Sequence, residues 1–493
     1  MMLTRIINRL NPIIWGLLIF TLPITSMPLV VRIVGSDTVA SPAVILLAVI
    51  GCTWLIPYFL KNGKLSYQSL PLLAYFLLAI FSTSLSAFIE IPAFKAIDPF
   101  RNQIEGITTL LIGISFFLVF SLYPAQNIHK LSLTVRLINY AGLMIILWSF
   151  FQAIAWRLPG HYPGWLKDLH GLYSVGPLYR ARVTGFALEP SWLAHQLNML
   201  YLPLWLAAVV KRSSVHKLRL GPIIAEDFLL LGGIVTLLLS LSRVGMGSFV
   251  LMAAFLFLRF NGWVSGWMVR NLADRRQISP EKKQKFILWG SILVFILLLL
   301  LYFLILLGLA FGFSKVDPRM ADLFAFEFDR PDAILHYANQ LTFASRLVYW
   351  QAGWNIFNDY PWFGVGLGNA GYFMPEYLDP FAWKLIEVRR LLYRETVLLN
   401  VKSLWSRLLT ETGIIGFSMF TGWLALLWKT GRALEKDKQD LIKTLGLMGI
   451  FTIIGFLIEG FSIDSFAIPY LWCSSGLLVA ASTILIRETS LDK

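Results

Sequence analysis

The residues best placed to do chemistry lie in one stretch of the second half of the chain. Arg346, Trp350 and Trp354 recur every four residues in a run typical of a helix, so one helical face carries a cation beside two aromatic rings. Pro361 ends this predicted helix because its ring cannot continue one. Glycines follow, and without a Cβ they let the backbone approach another group closely. The predicted binding residues of this stretch are Trp350, Gly364, Gly366, Gly368 and Asn369.

Further candidates lie where hydrophobic runs begin. Glu189 precedes Pro190, which suits the first turn of a helix, so its carboxylate either caps the helix or serves as a reactive group. Arg182 lies just upstream of it. Arg243 occupies a tight turn between two hydrophobic runs, where an arginine either reaches the membrane surface or faces a cavity or an anion.

Another group of charges opens a later hydrophobic run. Arg407 and Glu411 are four residues apart, so on a helix they form a pair and can simply neutralise each other. Lys402 lies at the mouth of the same run, where its ammonium either reaches the surface or faces a cavity. Glu459 and Asp464 bracket a short turn near the C-terminus.

These residue types suit an anionic substrate and a proton transfer. Guanidinium groups fit a diphosphate because their planar fork donates paired hydrogen bonds, and a carboxylate can take a proton as a general base. The sequence has no recognisable metal motif, so we predict no metal and no cofactor, and we interpret the loop histidines as solvated. The cations are Arg182, Arg243, Arg346 and Lys402, the carboxylates are Glu189, Glu411, Glu459 and Asp464, and the histidines are His161, His170 and His195.

Composition indicates the class of protein. Of the 493 residues, 57% are hydrophobic and only 14% are charged, whereas a soluble domain carries about 25% charged residues. The apolar runs do not alternate like barrel strands, so we predict an all-α, polytopic integral membrane protein with about 12 transmembrane helices. Cys52 and Cys473 fall inside predicted spans, which argues against a disulfide framework or a cysteine metal site.

The predicted spans divide the chain into three parts. A bundle of nine spans occupies 1–312, a long loop that contains helices occupies 313–400, and three more spans occupy 401–493. The first hydrophobic run has no clear cleavage site and is therefore predicted to be a retained helix. The predicted spans are 12–30, 40–60, 68–89, 104–123, 137–156, 190–210, 226–241, 244–260, 286–312, 401–428, 444–460 and 465–486.

The net charge of +14 reflects orientation in the membrane rather than nucleic-acid binding. Lys and Arg concentrate in short loops on one side, including 211–217 and 274–285, and such loops face the cytoplasm. Both termini are therefore predicted to be cytoplasmic and the candidate residues extracytoplasmic. The charged segment 376–400 is predicted to lie on the membrane surface or to cover a cavity.

The order of these motifs resembles that of the bacterial O-antigen ligase and polymerase superfamily. The similarity covers about 230 to 420, and a further run upstream, from Arg182 to Ser191, looks like a motif of exopolysaccharide and O-antigen polymerases. The motifs that carry it are Ser242-Arg243, then Arg346 and Trp350, then Pro361 to Asn369, and then Glu411-Thr412-Gly413.

The resemblance implies a metal-independent glycosyltransferase at the outer face of the bacterial inner membrane. An acceptor sugar hydroxyl would attack the anomeric carbon of a glycan carried on a polyprenyl diphosphate, and the lipid diphosphate would leave. Arg243 and Arg346 match the family's essential pair and would hold the diphosphate. The catalytic set is predicted as Arg243, Arg346, Glu189 and Lys402, with Arg182, Arg407 and Glu411 among the substrate contacts.

One departure from the family pattern bears on the acceptor. Ligases of the family typically have His-Asn shortly before the glutamate, where this chain has Lys402 and Ser403. A lysine is ordinarily protonated, so Lys402 is predicted to bind phosphate while Glu189 or another carboxylate takes the proton. Polymerisation is therefore favoured over ligation to lipid A.

Two other classes of function stay open on sequence alone. Members of the superfamily have been proposed to carry inorganic carbon or other solutes, which requires polar groups at mid-membrane depth within broken helices. A non-catalytic membrane component of polysaccharide assembly is the other alternative. The predicted partners are the lipid-linked glycan donor, the glycan acceptor, membrane lipid and a chain-length regulator or flippase, with no nucleic acid.

Overall fold

The structure is a computed structural model that describes residues 2–35, 40–158, 160–315, 321–327, 329, 333–341 and 343–491. The protein is 76% helical. The strands in the described ranges form one antiparallel ribbon, β1 (Arg219–Leu220) with β2 (Ile223–Ile224). The predicted all-α class is therefore confirmed.

Within the described ranges, each predicted span except 12–30 coincides with one helix, and nine helices, against about 12 predicted, are long and apolar enough to cross a membrane. The polytopic membrane class is thus confirmed. The helices are α1 (Met2–Thr21), α2 (Pro28–Val34), α3 (Pro42–Leu60), α4 (Tyr67–Phe88), α5 (Pro99–Leu122), α6 (Ile128–Arg157), α7 (Gly164–Tyr173), α8 (Pro190–Lys211), α9 (Ala225–Ser240), α10 (Arg243–Arg275), α11 (Pro280–Ser314), α12 (Ala333–Gln340), α13 (Ala344–Asp359), α14 (Ala370–Tyr377), α15 (Ile386–Tyr393), α16 (Leu404–Leu434), α17 (Asp440–Glu459) and α18 (Tyr470–Leu491).

Polar caps explain where several of these helices begin. Ser41 and Asp98 each precede a proline at the first helical position, and each side chain accepts the amide two residues on, at 3.3 and 3.1 Å. Asn127 accepts the Lys130 amide at 2.8 Å and starts α6. The caps satisfy amides that the first turn of a helix leaves without partners.

The chain forms two compact units, and the first contains Met1–Phe249, Ala352–Tyr377 and Thr396–Lys493. In this unit α18 packs against α5, and α17 packs against α8 and α16. A Cβ at Gly113 of α5 would lie 2.5 Å from the Trp472 ring. Small residues at helix contacts let backbones approach closely, which drives packing where lipid removes the hydrophobic effect.

The second unit contains Val250–Gln351 and Leu378–Glu395. Most of α10 and all of α11 belong to it. The Asn261 amide of α10 donates to the Phe295 carbonyl of α11 at 3.0 Å, which pairs these two helices. None of the described side chains of α11 is buried, so its apolar surface suits contact with lipid.

Two of the predicted spans differ most from the observed helices. The predicted span 12–30 is interrupted, because α1 ends at Thr21 and α2 starts at Pro28. Pro23 and Pro28 explain this, since proline lacks an amide and restricts the residue before it. The predicted span 244–260 is too short, because α10 continues to Arg275. The long loop does contain helices, α12 to α15, and the three-part division of the chain stays a prediction.

Candidate functional site

Arg182 is held beside the C-terminal end of α9. Its Nε donates to the Ser240 carbonyl at 2.9 Å, and its guanidinium lies 5.7 Å from the centre of the Tyr179 ring. Burial raises the pKa of the Tyr179 hydroxyl, the Glu189 carboxylate raises this pKa further, and the Arg182 guanidinium lowers it. Tyr179 therefore lies within electrostatic reach of both predicted site residues.

Gln152 of α6 fixes the backbone between Arg182 and Glu189. Its Oε1 accepts the amides of Thr184 and Gly185 at 3.1 and 2.9 Å. Gly185 has a φ of 58°, a left-handed conformation that favours glycine. A glutamine on a hydrophobic helix thus directs this run of residues into α8.

Glu189 immediately precedes α8 and has an extended backbone. Its carboxylate accepts a hydrogen bond from the Ser191 hydroxyl and none from the amides of the first turn of α8. The capping alternative is therefore wrong in its geometry, although the N-terminus of a helix still favours a nearby negative charge.

Arg243 is the first residue of α10, and only two residues separate it from the end of α9, so the predicted tight turn is confirmed. The Ser242 hydroxyl accepts the Gly245 amide at 3.3 Å and caps the helix. A Cβ at Gly245 would lie 2.4 Å from the Cβ of Ala194, so glycine allows α10 to approach α8. Because Arg182 bonds the last residue of α9, Arg182 and Arg243 lie at the same end of the first unit.

A buried cluster supports this turn. The Glu459 carboxylate accepts hydrogen bonds from His195 Nδ1 at 3.3 Å and Asn198 Nδ2 at 2.7 Å, and Asn198 Nδ2 also donates to the Gly245 carbonyl at 2.8 Å. The interpretation of the histidines as solvated is wrong for His195 and His170, which are each 3% exposed. The hydrogen bond to the Glu459 carboxylate explains why His195 is tolerated in a hydrophobic helix. The sequence alone does not reveal this partner.

Lys402 lies at the same end of the first unit, because its neighbour Ser403 bonds the residue that follows Glu459. The Ser403 hydroxyl donates to the Gly460 carbonyl at 3.1 Å and accepts the Ser406 amide at 3.4 Å, capping α16. Lys402 itself has a φ of 49°, and its amide donates to the Asn400 side chain at 3.2 Å. Gly460 follows Glu459, so the residues around Lys402 adjoin the buried cluster below Arg243.

The helix α16 is broken at Gly413, where φ is 63° and ψ is −169°. This conformation is essentially restricted to glycine. The break removes the helical donors of the Thr410 and Glu411 carbonyls, and the amides of Val365 and Gly366 replace them at 2.9 and 3.0 Å. The glycine-rich turn after α13 therefore fills the gap in α16.

The other side of the break pairs with the same turn. The Ile414 amide donates to the Pro361 carbonyl at 2.8 Å. A Cβ at Gly364 would lie 2.5 Å from the Thr410 carbonyl oxygen, and one at Gly368 would lie 2.3 Å from the Asn102 carbonyl oxygen. The predicted close approach of the glycine backbone is confirmed. Contact of Gly364, Gly366 and Gly368 with substrate stays a prediction.

Asn369 closes the turn. Its side chain is fully buried, its Nδ2 donates to the Val365 carbonyl at 2.7 Å, and its Oδ1 accepts from Gln103 of α5 at 3.3 Å. These bonds attach the turn to α5, and a contact of Asn369 with substrate stays a prediction.

A cavity of about 760 Å³ opens in the first unit beside this turn. The predicted pair is confirmed in its wall, where Arg407 Nε donates to Glu411 Oε2 at 2.7 Å. Arg407 Nη1 also donates to the Asp464 carbonyl at 2.8 Å. The other polar side chains of the wall are Asp98, Arg101, Asn102, Glu105, Thr109, Thr396, Asn400 and Ser465.

Sequence reasoning missed the contribution of α5 to this cavity, because the predicted span began at 104. The sequence does contain a signal for an earlier helix start. Asp98 precedes a proline, as a capping residue does, and Arg101 and Glu105 follow at the four-residue spacing of a helical pair. From the segment 376–400, predicted to lie on the membrane surface or to cover a cavity, residues 396–400 line this one. In the described residues, no three His, Cys, Asp or Glu side chains are grouped as metal ligands would be.

Arg346 and Trp350 belong to the second unit. The helix α13 that carries them ends at Asp359, two residues before Pro361, which was predicted to end it. The Arg346 amide donates to the Phe343 carbonyl at 3.0 Å, and the Phe343 ring packs edge-on against Trp350 with centroids 5.1 Å apart. Trp354, further along α13, is 54% exposed. The functional roles of Arg346 and Trp350 stay predictions.

Residues 228–421 match a family model described as O-antigen ligase. The matched segment contains the capped turn of Arg243, the glycine-rich turn and the break at Gly413. This segment, less than half of the chain, is similar to the O-antigen ligase family. The resemblance predicted for about 230 to 420 is confirmed, and the run from Arg182 to Ser191 lies outside the match. No curated protein matches the chain.

The family domain and the membrane-spanning helices together define the class of activity. The protein is a multi-pass membrane protein with a domain of the O-antigen ligase type. This supports a glycosyltransferase-like activity in polysaccharide biosynthesis, of the ligase or polymerase kind.

Proposed function

We propose that this protein is a polysaccharide polymerase that transfers a glycan from a polyprenyl diphosphate to the hydroxyl of an acceptor sugar. The observation that carries the proposal is the capped turn of Arg243 inside the O-antigen ligase segment, with Arg182 bonded to the end of the preceding helix. Two guanidinium groups beside a helix N-terminus suit a diphosphate.

In the proposed reaction, the acceptor hydroxyl oxygen bonds to the anomeric carbon as the bond from that carbon to the phosphate oxygen breaks. The diphosphate leaves with the electron pair, and Arg243 and Arg182 stabilise its charge. For Arg346 the family resemblance alone implies a role in this step. The hydroxyl proton passes to the half-exposed carboxylate of Glu189. Lys402, a cation at the same end of the first unit, binds phosphate in this scheme.

Polymerisation is proposed over ligation because of Lys402 and Ser403. The Ser403 side chain is engaged by Gly460 and the first turn of α16, and the lysine beside it is a cation at neutral pH. Lys402 and Ser403 therefore do not supply the histidine base that the ligase resemblance implies.

The solute-carrier alternative draws on the broken helix, which the sequence did not predict. In carriers, freed backbone carbonyls at such breaks coordinate ions. Here the carbonyls of Thr410 and Glu411 accept hydrogen bonds from the chain's own Val365 and Gly366. The break therefore serves internal packing, which favours the enzyme.

We further propose that the enzyme acts at the outer face of the bacterial inner membrane with both termini in the cytoplasm. The excess of Lys and Arg in the short loops at the opposite ends of the helices supports this orientation. A flippase that delivers the donor and a chain-length regulator are the expected partners.

The test is the length of the product formed by purified protein from a synthetic polyprenyl-diphosphate oligosaccharide, with EDTA present. We expect a ladder of extended glycans, and loss of about 10²–10³-fold in rate for Arg243→Ala and Arg346→Ala. Arg346→Lys should also be poor if the contact is bidentate.

Arg270→Ala is the matched control, because Arg270 is exposed and its Nε bonds the Gly266 carbonyl of its own helix. Full activity of folded Arg243→Ala and Arg346→Ala proteins would contradict the diphosphate assignment. A single transfer to lipid A without a ladder would instead identify a ligase.

A further inference from the structure

The cavity beside the glycine-rich turn differs in charge from the end that carries Arg182 and Arg243. Its wall holds four carboxylates, Asp98, Glu105, Glu411 and Asp464, and two arginines. One arginine, Arg407, is already bonded to Glu411 at 2.7 Å. The remaining charge of the wall is therefore negative, which disfavours a diphosphate.

The rest of the wall is also rich in hydrogen-bonding groups. It includes Asn102, Thr109 and Ser465 and the segment 396–401 with Asn400. Carboxylates and amides accept and donate the paired hydrogen bonds that neighbouring sugar hydroxyls offer. The volume of about 760 Å³ falls within the range of about 300–1,000 Å³ for small-molecule sites.

We infer that this cavity binds the acceptor glycan, as a hydroxyl-binding subsite separate from the cationic end of the unit. The inference rests on the proposed glycan transfer. Asp98, Asp464 and Glu105 accept hydrogen bonds from sugar hydroxyls, and the Arg407–Glu411 pair forms a fixed part of the wall.

The chain connects the two subsites directly. Glu459 belongs to the cluster below Arg243, and Asp464 lies in the cavity wall only five residues later. Five residues span at most about 18 Å, which is within the reach of a short oligosaccharide. A glycan held in the cavity can therefore extend one end towards the arginines.

The test separates glycan binding from transfer. The probe is the oligosaccharide released by mild acid from the host's own lipid-linked glycans, offered to full-length protein in lipid nanodiscs and observed by saturation-transfer NMR. The variant is Asp98→Asn with Asp464→Asn. Asparagine at 98 keeps the cap of α5, whose amide at Phe100 is 3.1 Å from the Asp98 carboxylate.

We expect the wild-type protein to bind the released glycan, and the double variant to bind it at least about tenfold more weakly, because each lost charge-assisted hydrogen bond weakens binding by about that factor. In the transfer assay the variant should raise the KM for the acceptor and leave kcat nearly unchanged. Asp168→Asn, an exposed position on α7 outside the cavity, is the matched control and should behave as wild type.

Absence of glycan binding by the wild-type protein, or equal binding by the double variant, overturns the inference. Displacement of the glycan by inorganic pyrophosphate also overturns it, because the cavity would then be an anion site. If the protein binds the free glycan through Asp98 and Asp464 but transfers nothing, the inference stands and the proposed polymerase does not. If it transfers glycan with an acceptor KM unchanged in the variant, the polymerase stands and the inference fails.

Discussion

The carboxylate of Glu459, at the end of α17, bonds α8 directly and is linked to α10 through Asn198. It accepts from His195 and Asn198 on α8, and Asn198 also holds the Gly245 carbonyl on α10. A buried carboxylate is stable only when it is paired and hydrogen-bonded. The position of Arg243, two residues before Gly245, therefore depends on an acidic residue from the other end of the chain.

Replacement of Glu459 by alanine should lower the free energy of unfolding by roughly 3–5 kcal/mol, because it leaves His195 and one bond of Asn198 without an acceptor in a buried site. Glu459→Gln keeps an acceptor and should lose less. Thermal unfolding in detergent measures both changes. Glu281→Ala, exposed at the start of α11, should change stability by no more than about 0.5 kcal/mol, and an equal loss in all three variants would contradict this role.

At the scale of elements, the decisive feature is the exchange of hydrogen bonds between the glycine-rich turn and the broken helix α16. The turn supplies two amides to one side of the break and a carbonyl to the other. A buried backbone group without a partner costs about 1–3 kcal/mol, so a gap in the buried stretch from Thr410 to Gly413 persists only when something fills it. The glycines are needed because this filling brings backbone directly against backbone.

Gly413→Ala should be strongly destabilising. A Cβ there would lie 2.3 Å from the Trp362 carbonyl, and the backbone conformation itself costs an alanine about 1–3 kcal/mol. Gly422→Ala, on the same helix, meets nothing within 4 Å and should be neutral or stabilise by about 1 kcal/mol, since alanine favours a helix. Unfolding temperatures of the two variants test the contrast, and similar values for both would be inconsistent with the break.

Local patterns were enough to predict the helices, the turn at Arg243 and the close approach of the glycine backbone. They did not identify the partners. Pairing of Val365 with Thr410 joins segments that are distant in sequence, and no local signal specifies it. The bond from His195 to Glu459 could not be predicted for the same reason. The residues around a histidine in a hydrophobic run do not indicate which distant residue accepts its hydrogen bond. The start of α5 was missed because hydropathy weighs apolar residues and ignores charged first turns.

At the scale of the whole molecule, the distribution of basic residues predicts the orientation in the membrane. In an otherwise unchanged protein, a cysteine at Lys167 should react with a membrane-impermeant maleimide added to cells with a permeabilised outer membrane. A cysteine at Gln277 should react only after the inner membrane is opened, because its loop is predicted to be cytoplasmic. Both positions are exposed. The reverse pattern would invert the proposed topology and move the candidate site to the cytoplasm.

The pairing across the break in α16 also sets a rule for recombining this protein with its relatives. Residues 361–366 and 410–415 pair through backbone hydrogen bonds in one register. A chimaera that takes the two segments from different parents would pair glycines and side chains that do not fit each other. Crossovers outside 361–415 keep the register intact. Specificity should therefore be transplanted with this segment moved whole, or left untouched, and the start of α5 should come from the same parent, because Gln103 bonds Asn369 and the Asn102 carbonyl lies against Gly368.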